Sequence, residues 1–193
     1  MKICVFGAAS NEINNNYIER TEILCEKLAK NGHDLVFGAG ANGLMGAAAR
    51  GFKKGGGKII GVIPHFFKNE TVEAIYDQCD ELVYTESMRE RKHIMEDKAD
   101  AFIIAPGGIG TFEEFFEVLT LKQLARHKKP IVFYDICGYY NKLMDFMEYA
   151  SKERFIRENC KLLYQCTDDD AQLIEYLENT DIADFTVHDM KQG

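Results

Sequence analysis

Short apolar runs alternate with longer amphipathic stretches along the chain. The runs lie at residues 2–6 (KICVF), 34–37 (DLVF), 58–63 (KIIGVI), 81–84 (ELVY), 101–105 (AFIIA), 131–134 (IVFY) and 162–166 (LLYQC). Helical periodicity fills the gaps, at roughly 17–31, 43–54, 87–99, 111–127, 139–151 and 168–178. Strands that are apolar throughout, rather than on alternate positions, belong in a sheet buried on both faces, and that is the parallel α/β arrangement. Strict strand–helix alternation points the same way. The pattern predicts an α/β fold: a single Rossmann-like, doubly wound domain over residues 1–193, with a mostly parallel sheet of about seven strands flanked by helices. Only Pro64–Asp80 follows neither period.

Composition narrows the function classes. The chain has 193 residues, of which 46% are hydrophobic and 28% charged, so it can bury a core and is not disordered as a whole. Its 23 Lys+Arg against 31 Asp+Glu leave a formal charge of −8, the opposite of a nucleic-acid-binding balance. An anionic ligand must therefore be held locally. The first apolar run, Ile3–Phe6, is too short for a signal-peptide core, and no stretch approaches the ~20 apolar residues of a membrane span. The six cysteines are scattered without a Cys-x-x-Cys pair, which reads as a reduced, cytoplasmic protein without a disulfide framework. The dispersed His, Cys and Asp residues offer no metal site.

Glycine-containing turns follow three of the predicted strands at what becomes their carboxyl edge: Gly7 (before Ser10), Gly38–Ala39–Gly40, and Pro106–Gly107–Gly108–Ile109–Gly110. Ligands of open parallel sheets bind at that edge, and each turn leads to a helix start, where N–H groups and the helix dipole favour phosphate. Gly38, Gly40 and Gly43 also fit a G-x-G-x-x-G dinucleotide fingerprint. However, it follows the second strand, and no Asp or Glu occurs between residues 47 and 69, where the ribose partner should lie.

Two segments carry the chemistry. In PGGIGTFEE (Pro106–Glu114), Thr111 and Glu114 have the spacing of a capping box, which would make Glu114 a structural carboxylate. The functional alternative is a Gly turn cradling phosphate or ribose while Glu113 or Glu114 faces the sugar. In SMRERKHIM (Ser87–Met95), Ser87 and Glu90 form a second capping box, and Met88, Met95 and Ala99 define an inward stripe. Arg91 and Lys92 fall on that stripe. A buried charge is costly unless it is paired or faces a cavity, so one of them either pairs with a carboxylate such as Glu96 or enters a cleft. Arg89 is expected to point outward.

The Met88–Arg91–Lys92 element, the Pro106–Glu114 motif and a later Gly138–Tyr139–Tyr140 element together resemble the LONELY GUY family, filed historically as lysine decarboxylase-like, over roughly residues 2–165. Ala39, and the turn Gly7–Ala8–Ala9–Ser10, depart from the family's glycine- and serine-richer versions. The resemblance implies hydrolysis of the N-glycosidic bond of a nucleoside 5′-monophosphate, N6-modified AMP (a cytokinin nucleotide) or AMP, to free base and ribose 5-phosphate, with no cofactor and no metal. It implies that Glu114, helped or replaced by Glu113, stabilises the sugar cation and activates water. Arg91 holds the carboxylate or the ribose, or assists departure of the base, and Lys92 adds to a positive rim. The backbone of Gly107, Gly108, Gly110 and Thr111 binds the phosphate, and Glu73 is a candidate for the base pocket. No lysine stands out as a Schiff-base residue. A non-catalytic nucleotide sensor and another nucleotide-processing or NAD(P) enzyme remain as alternatives.

The helix after the motif carries Phe112, Phe115, Phe116 and Leu119 on one side and Val118, Leu121 and Ala125 on another. Apolar surface around most of a helix predicts burial on two sides, by the sheet and by either a second copy or the chain's own C-terminal segment; the resemblance implies a homodimer. The acidic run Asp168–Asp170 is expected to cap the last helix.

Overall fold

The computed structural model describes residues 1–68 and 74–179. Seven strands form one sheet: β1 (Lys2–Phe6), β2 (Asp34–Phe37), β3 (Ile59–Pro64), β4 (Glu81–Thr85), β5 (Ala101–Ile104), β6 (Ile131–Tyr134) and β7 (Gln165–Thr167). Six α-helices intervene: α1 (Asn15–Lys30), α2 (Gly43–Gly55), α3 (Met88–Lys98), α4 (Ile109–Gln123), α5 (Asn141–Lys152) and α6 (Asp170–Asn179). Every strand pair is parallel, in the order β4-β3-β2-β1-β5-β6-β7. The last predicted strand shifts: residues 158–162 wind into a 3₁₀ turn, and β7 begins only at Gln165.

The sheet divides the core into two layers. Leu24, Leu28, Ala48, Phe52 and Leu173 cover one face from α1, α2 and α6; Met95, Phe115, Val118, Leu119 and Met147 cover the other from α3, α4 and α5. All four residues of β5 and of β6 are buried, as two-sided burial requires. Gly51 and Gly55 let α2 lie against α1: a Cβ there would meet the Glu22 and Glu26 carbonyl oxygens at 2.4 and 2.5 Å. At the last helix, Asp169 Oδ1 accepts from the Gln172 N–H at 2.9 Å, the cap expected of the acidic run.

The chain winds outward from β1 through β4, then returns to β5 on the other side of β1. The loops leaving β1 and β5 therefore diverge around a gap, the switch point at which open α/β sheets bind ligands. Ala8 N–H donates to the Pro106 carbonyl across it at 3.0 Å.

Candidate active site

The three glycine turns do different jobs. Behind β2, the start of α2 is already spoken for: Gly43 N–H donates to Asn11 Oδ1 (2.8 Å) and Leu44 N–H to the Ala8 carbonyl (2.8 Å). Gly43 has φ +56, and a Cβ there would lie 2.4 Å from the Ala8 oxygen, so glycine is needed both for conformation and for space. Ala39 has φ 61 too, which is the conformation that explains glycine at this place in the family. Behind β5, α4 begins three residues earlier than the capping pattern suggested. Gly108 is the N-cap without a side-chain hydrogen bond, Thr111 is buried in the first turn, and Glu114 caps nothing. The N–H groups of Ile109, Gly110 and Thr111 have no acceptor among the described residues, so the start of α4 is open to an anion where the start of α2 is not.

α3 delivers the cation. The Ser87 hydroxyl accepts from Glu90 N–H at 3.1 Å, while the Glu90 carboxylate reaches back to the Glu86 N–H at 2.8 Å, one residue earlier than a strict capping box. The inward stripe is altered: Met88 is 40% exposed, whereas Arg91 is only 7% exposed. Arg91 donates from Nε to the Val62 carbonyl (3.1 Å), from Nη2 to the Gly38 carbonyl (3.0 Å) and from Nη1 toward Met88 Sδ (3.7 Å). Three of five guanidinium N–H bonds are used in this way and two remain. Phe67 lies beside it, with the guanidinium carbon 6.0 Å from the ring centre.

These elements enclose a cleft of about 520 Å³. Of the residues singled out from sequence, Gly7, Met88, Arg91, Lys92, Gly108, Gly110, Thr111, Glu113 and Glu114 line it. Ser10, Gly38, Gly40, Gly43, Pro106, Gly107 and Ile109 do not; they shape the loops behind it. Glu73 lies outside the described residues. Sequence reasoning missed Ala8, Ala9, Met45 and Phe67 as lining residues, and Arg89, expected to point outward, stands at the rim. No periodicity marks Phe67, which sits in the 3₁₀ turn His65–Lys68 beyond β3.

The two adjacent glutamates are set apart by their surroundings. Glu113 is exposed and ion-paired to Lys92, which also binds Glu117 at 2.5 Å. Glu114 makes no hydrogen bond or ion pair with any described residue. Burial pushes its carboxyl up to about 7; Arg91 and Lys92 pull against that shift, and the Glu113 and Glu117 charges add to it. Arg91 thus acts on Glu114 through space, without a direct ion pair. A raised pKa does not by itself mark the site, since burial also pushes Glu96 up to about 7 outside the cleft. Lys122, on α4, is a further group shifted by burial. Burial pushes its amine down to about 8, but it is not among the cleft residues. Among the described residues no His, Cys, Asp or Glu group is placed to hold a metal, no helix is long and apolar enough to cross a membrane, and all six cysteines are free thiols.

A larger cavity, about 710 Å³, lies against α5 and β7. Its charged lining pairs internally, as Lys152–Glu148 (2.6 Å) and Lys161–Glu158 (3.2 Å) do, and it is remote from the switch point. Chemistry, not size, favours the smaller cleft.

A family model described as "Possible lysine decarboxylase" matches residues 45–177. The probable cytokinin riboside 5'-monophosphate phosphoribohydrolase LOGL3 of Oryza sativa subsp. japonica is 36% identical over 92% of this chain and 83% of its own length. The cytokinin riboside 5'-monophosphate phosphoribohydrolase LOG2 of Arabidopsis thaliana is 33% identical over 92% of this chain and 82% of its own. The chain belongs to the LONELY GUY family. Among solved structures, the molybdenum cofactor carrier protein of Chlamydomonas reinhardtii superposes with a TM-score of 0.70, covering 92% of this chain and 95% of that one. At 24% identity it establishes a shared Rossmann-like fold and nothing of function.

Proposed function

We propose that this LONELY GUY family member hydrolyses the N-glycosidic bond of a nucleoside 5′-monophosphate, AMP or N6-modified AMP, releasing the free base and ribose 5-phosphate. One observation carries the reading: Glu114 is a desolvated carboxyl group without a protein partner, in one cleft with the buried Arg91 and the open N-terminus of α4. The names of the plant relatives supply the substrate class.

The chemistry follows from that arrangement. The 5′-phosphate seats on the free N–H groups of Gly108, Gly110 and Thr111, which fixes the sugar over Glu114. As the C1′–N bond breaks, its electron pair leaves with the base and positive charge grows on the ribose. The Glu114 carboxylate stabilises that charge and takes one proton from the attacking water. The hydroxyl becomes the 1′-OH of ribose 5-phosphate, and the proton passes on to the departing base. A carboxyl near pH 7 suits both accepting and returning that proton. Arg91 keeps part of the Glu114 population ionised and offers its two remaining N–H bonds to the ribose or the base. Glu113, tied to Lys92, is the less suitable base. The reading uses no cofactor and no metal.

A homodimer fits the same reading. Ile109, Phe116 and Leu124, at 84%, 39% and 49% exposure, leave an apolar face along α4, although Phe115, Val118 and Leu119 are buried within this copy. A reducing cytoplasm suits six free thiols. The test is direct: incubation with AMP and with N6-isopentenyl-AMP, followed by assay of free base and ribose 5-phosphate. Release that is lost in Glu114→Gln and Arg91→Ala while nucleotide still binds supports the hydrolase. Tight binding without release by the wild-type protein would replace it with a sensor.

A further inference from the structure

Three consecutive carbonyl groups of the turn behind β5 are each held by a separate donor. The Ala105 oxygen accepts from the Tyr140 hydroxyl at 2.7 Å, the Pro106 oxygen from the Ala8 N–H at 3.0 Å, and the Gly107 oxygen from the Tyr139 hydroxyl at 2.6 Å. Two of the three donors are adjacent tyrosines beyond β6, an element that lines no part of the cleft.

Their placement is built by an unusual backbone. Asp135 leaves β6 and its Oδ1 accepts from the Tyr140 N–H at 2.6 Å. Between them Cys137 (φ 57) and Gly138 (φ 68) both adopt left-handed conformations, which turn the chain back toward β5. Such a conformation costs a non-glycine residue roughly 1 kcal/mol, so Cys137 bears strain here that the surrounding contacts must offset. Tyr139 is braced further by edge contact with Tyr17 at 6.1 Å.

In a trans peptide the carbonyl of one residue and the N–H of the next point in opposite directions. A donor on the Pro106 oxygen therefore aims the Gly107 N–H, and a donor on the Gly107 oxygen aims the Gly108 N–H. Two successive glycines have no side chains to limit rotation of the peptide between them. The Tyr139 hydroxyl supplies the missing restraint, and it does so from the side away from the cleft that Gly108 lines.

We infer that Tyr139 is a positioning residue that orients the Gly107–Gly108 peptide for the 5′-phosphate. The inference rests on the proposed nucleotide reading and adds to it which side chain pre-organises the phosphate turn. Pre-organisation of this kind is felt equally in the ground and transition states, so its loss raises KM and leaves kcat.

The experiment uses the full chain and the Tyr139→Phe variant, which keeps the ring of a 40% exposed residue and removes only the hydroxyl. AMP and inorganic phosphate binding are measured by calorimetry, and base release from AMP and from adenosine by steady-state kinetics. The expected result is an affinity for AMP and for phosphate about tenfold weaker, a matching rise in KM for AMP, kcat within about twofold, and adenosine cleavage unchanged. Tyr139→His, which can still donate a hydrogen bond, is expected to recover part of the affinity. Unaltered phosphate and AMP affinity in Tyr139→Phe overturns the positioning role while leaving the proposed function standing. An equal fall in AMP and adenosine cleavage overturns it too, as a general loosening of the fold. A wild-type chain that binds neither AMP nor phosphate removes the nucleotide reading itself, and this role with it.

Discussion

Arg91 Nη2 donates to the Gly38 carbonyl at 3.0 Å, and a Cβ on Gly38 would lie 1.6 Å from that same nitrogen. Glycine is required at this position for the space it leaves, because the backbone there is not left-handed. A turn that looked like a phosphate loop is the socket of a buried guanidinium.

Gly38→Ala should therefore behave like Arg91→Ala. Both are expected to lower kcat/KM for AMP by about 10²-fold or more, the range seen when one fixed electrostatic donor is lost. Because both remove the same group, the double variant should lose little beyond either single one. A base-release assay on the three variants checks this, and multiplicative losses would show that Gly38 acts separately from Arg91.

Glu114→Gln should trade activity for stability. A carboxyl pushed from 4.5 up to about 7 opposes folding once it must ionise, by at most about 3 kcal/mol above pH 7. The cost is absent below pH 4.5, grows between 4.5 and 7 and is then constant, so the variant's advantage should follow the same course. Urea unfolding at pH 4 and pH 8 measures it. Equal stability of the two proteins at pH 8 would mean that the carboxyl is well solvated.

The pH profile should distinguish the two glutamates. If Glu114 works as a carboxylate, kcat/KM rises as pH passes through about 7. Glu113→Gln removes a like charge that raises the Glu114 pKa, so it should remain active with the inflection moved to lower pH. Loss of base release in Glu113→Gln at every pH would reassign the base.

Ser87 caps the helix that carries Arg91. Ser87→Ala leaves the Glu90 N–H without its acceptor and is expected to cost about 1 kcal/mol of stability. Chemical denaturation measures the loss directly. An unchanged midpoint would mean that the Glu90–Glu86 bond alone holds the helix start.

Much of this was legible before any coordinates. Six of the seven strands fall within a residue or so of the apolar runs, because a strand buried on both faces must be apolar at every position. Arg91 was legible as an anomaly: a charge on a buried stripe needs a cavity or partners. The start of α4 was misread because Thr111 and Glu114 satisfy a capping pattern that the helix does not use; its first N–H groups are left open. Met88 belongs to the cleft, as its place beside Arg91 and Lys92 suggested, and not to the inward stripe, because one side of α3 faces the cleft rather than the core. No local pattern could separate Glu113 from Glu114, since the difference lies in the pairing of Glu113 with Lys92, on another helix, and in the burial of Glu114.

Hydrophobic periodicity and glycine spacing, which are properties of neighbours along the chain, determined that this protein is a parallel α/β layer structure with a ligand edge and with acid and base residues near it. Tertiary structure decided which groups meet there. The carbonyls that seat Arg91 lie 29 and 53 residues away from it, and the hydroxyl on Gly107 lies 32 residues away. Desolvation of Glu114 is likewise a sum over elements distant in sequence. Burial and hydrogen-bond direction are set only when strands and helices pack, so that part of the site could be read only once the chain was folded.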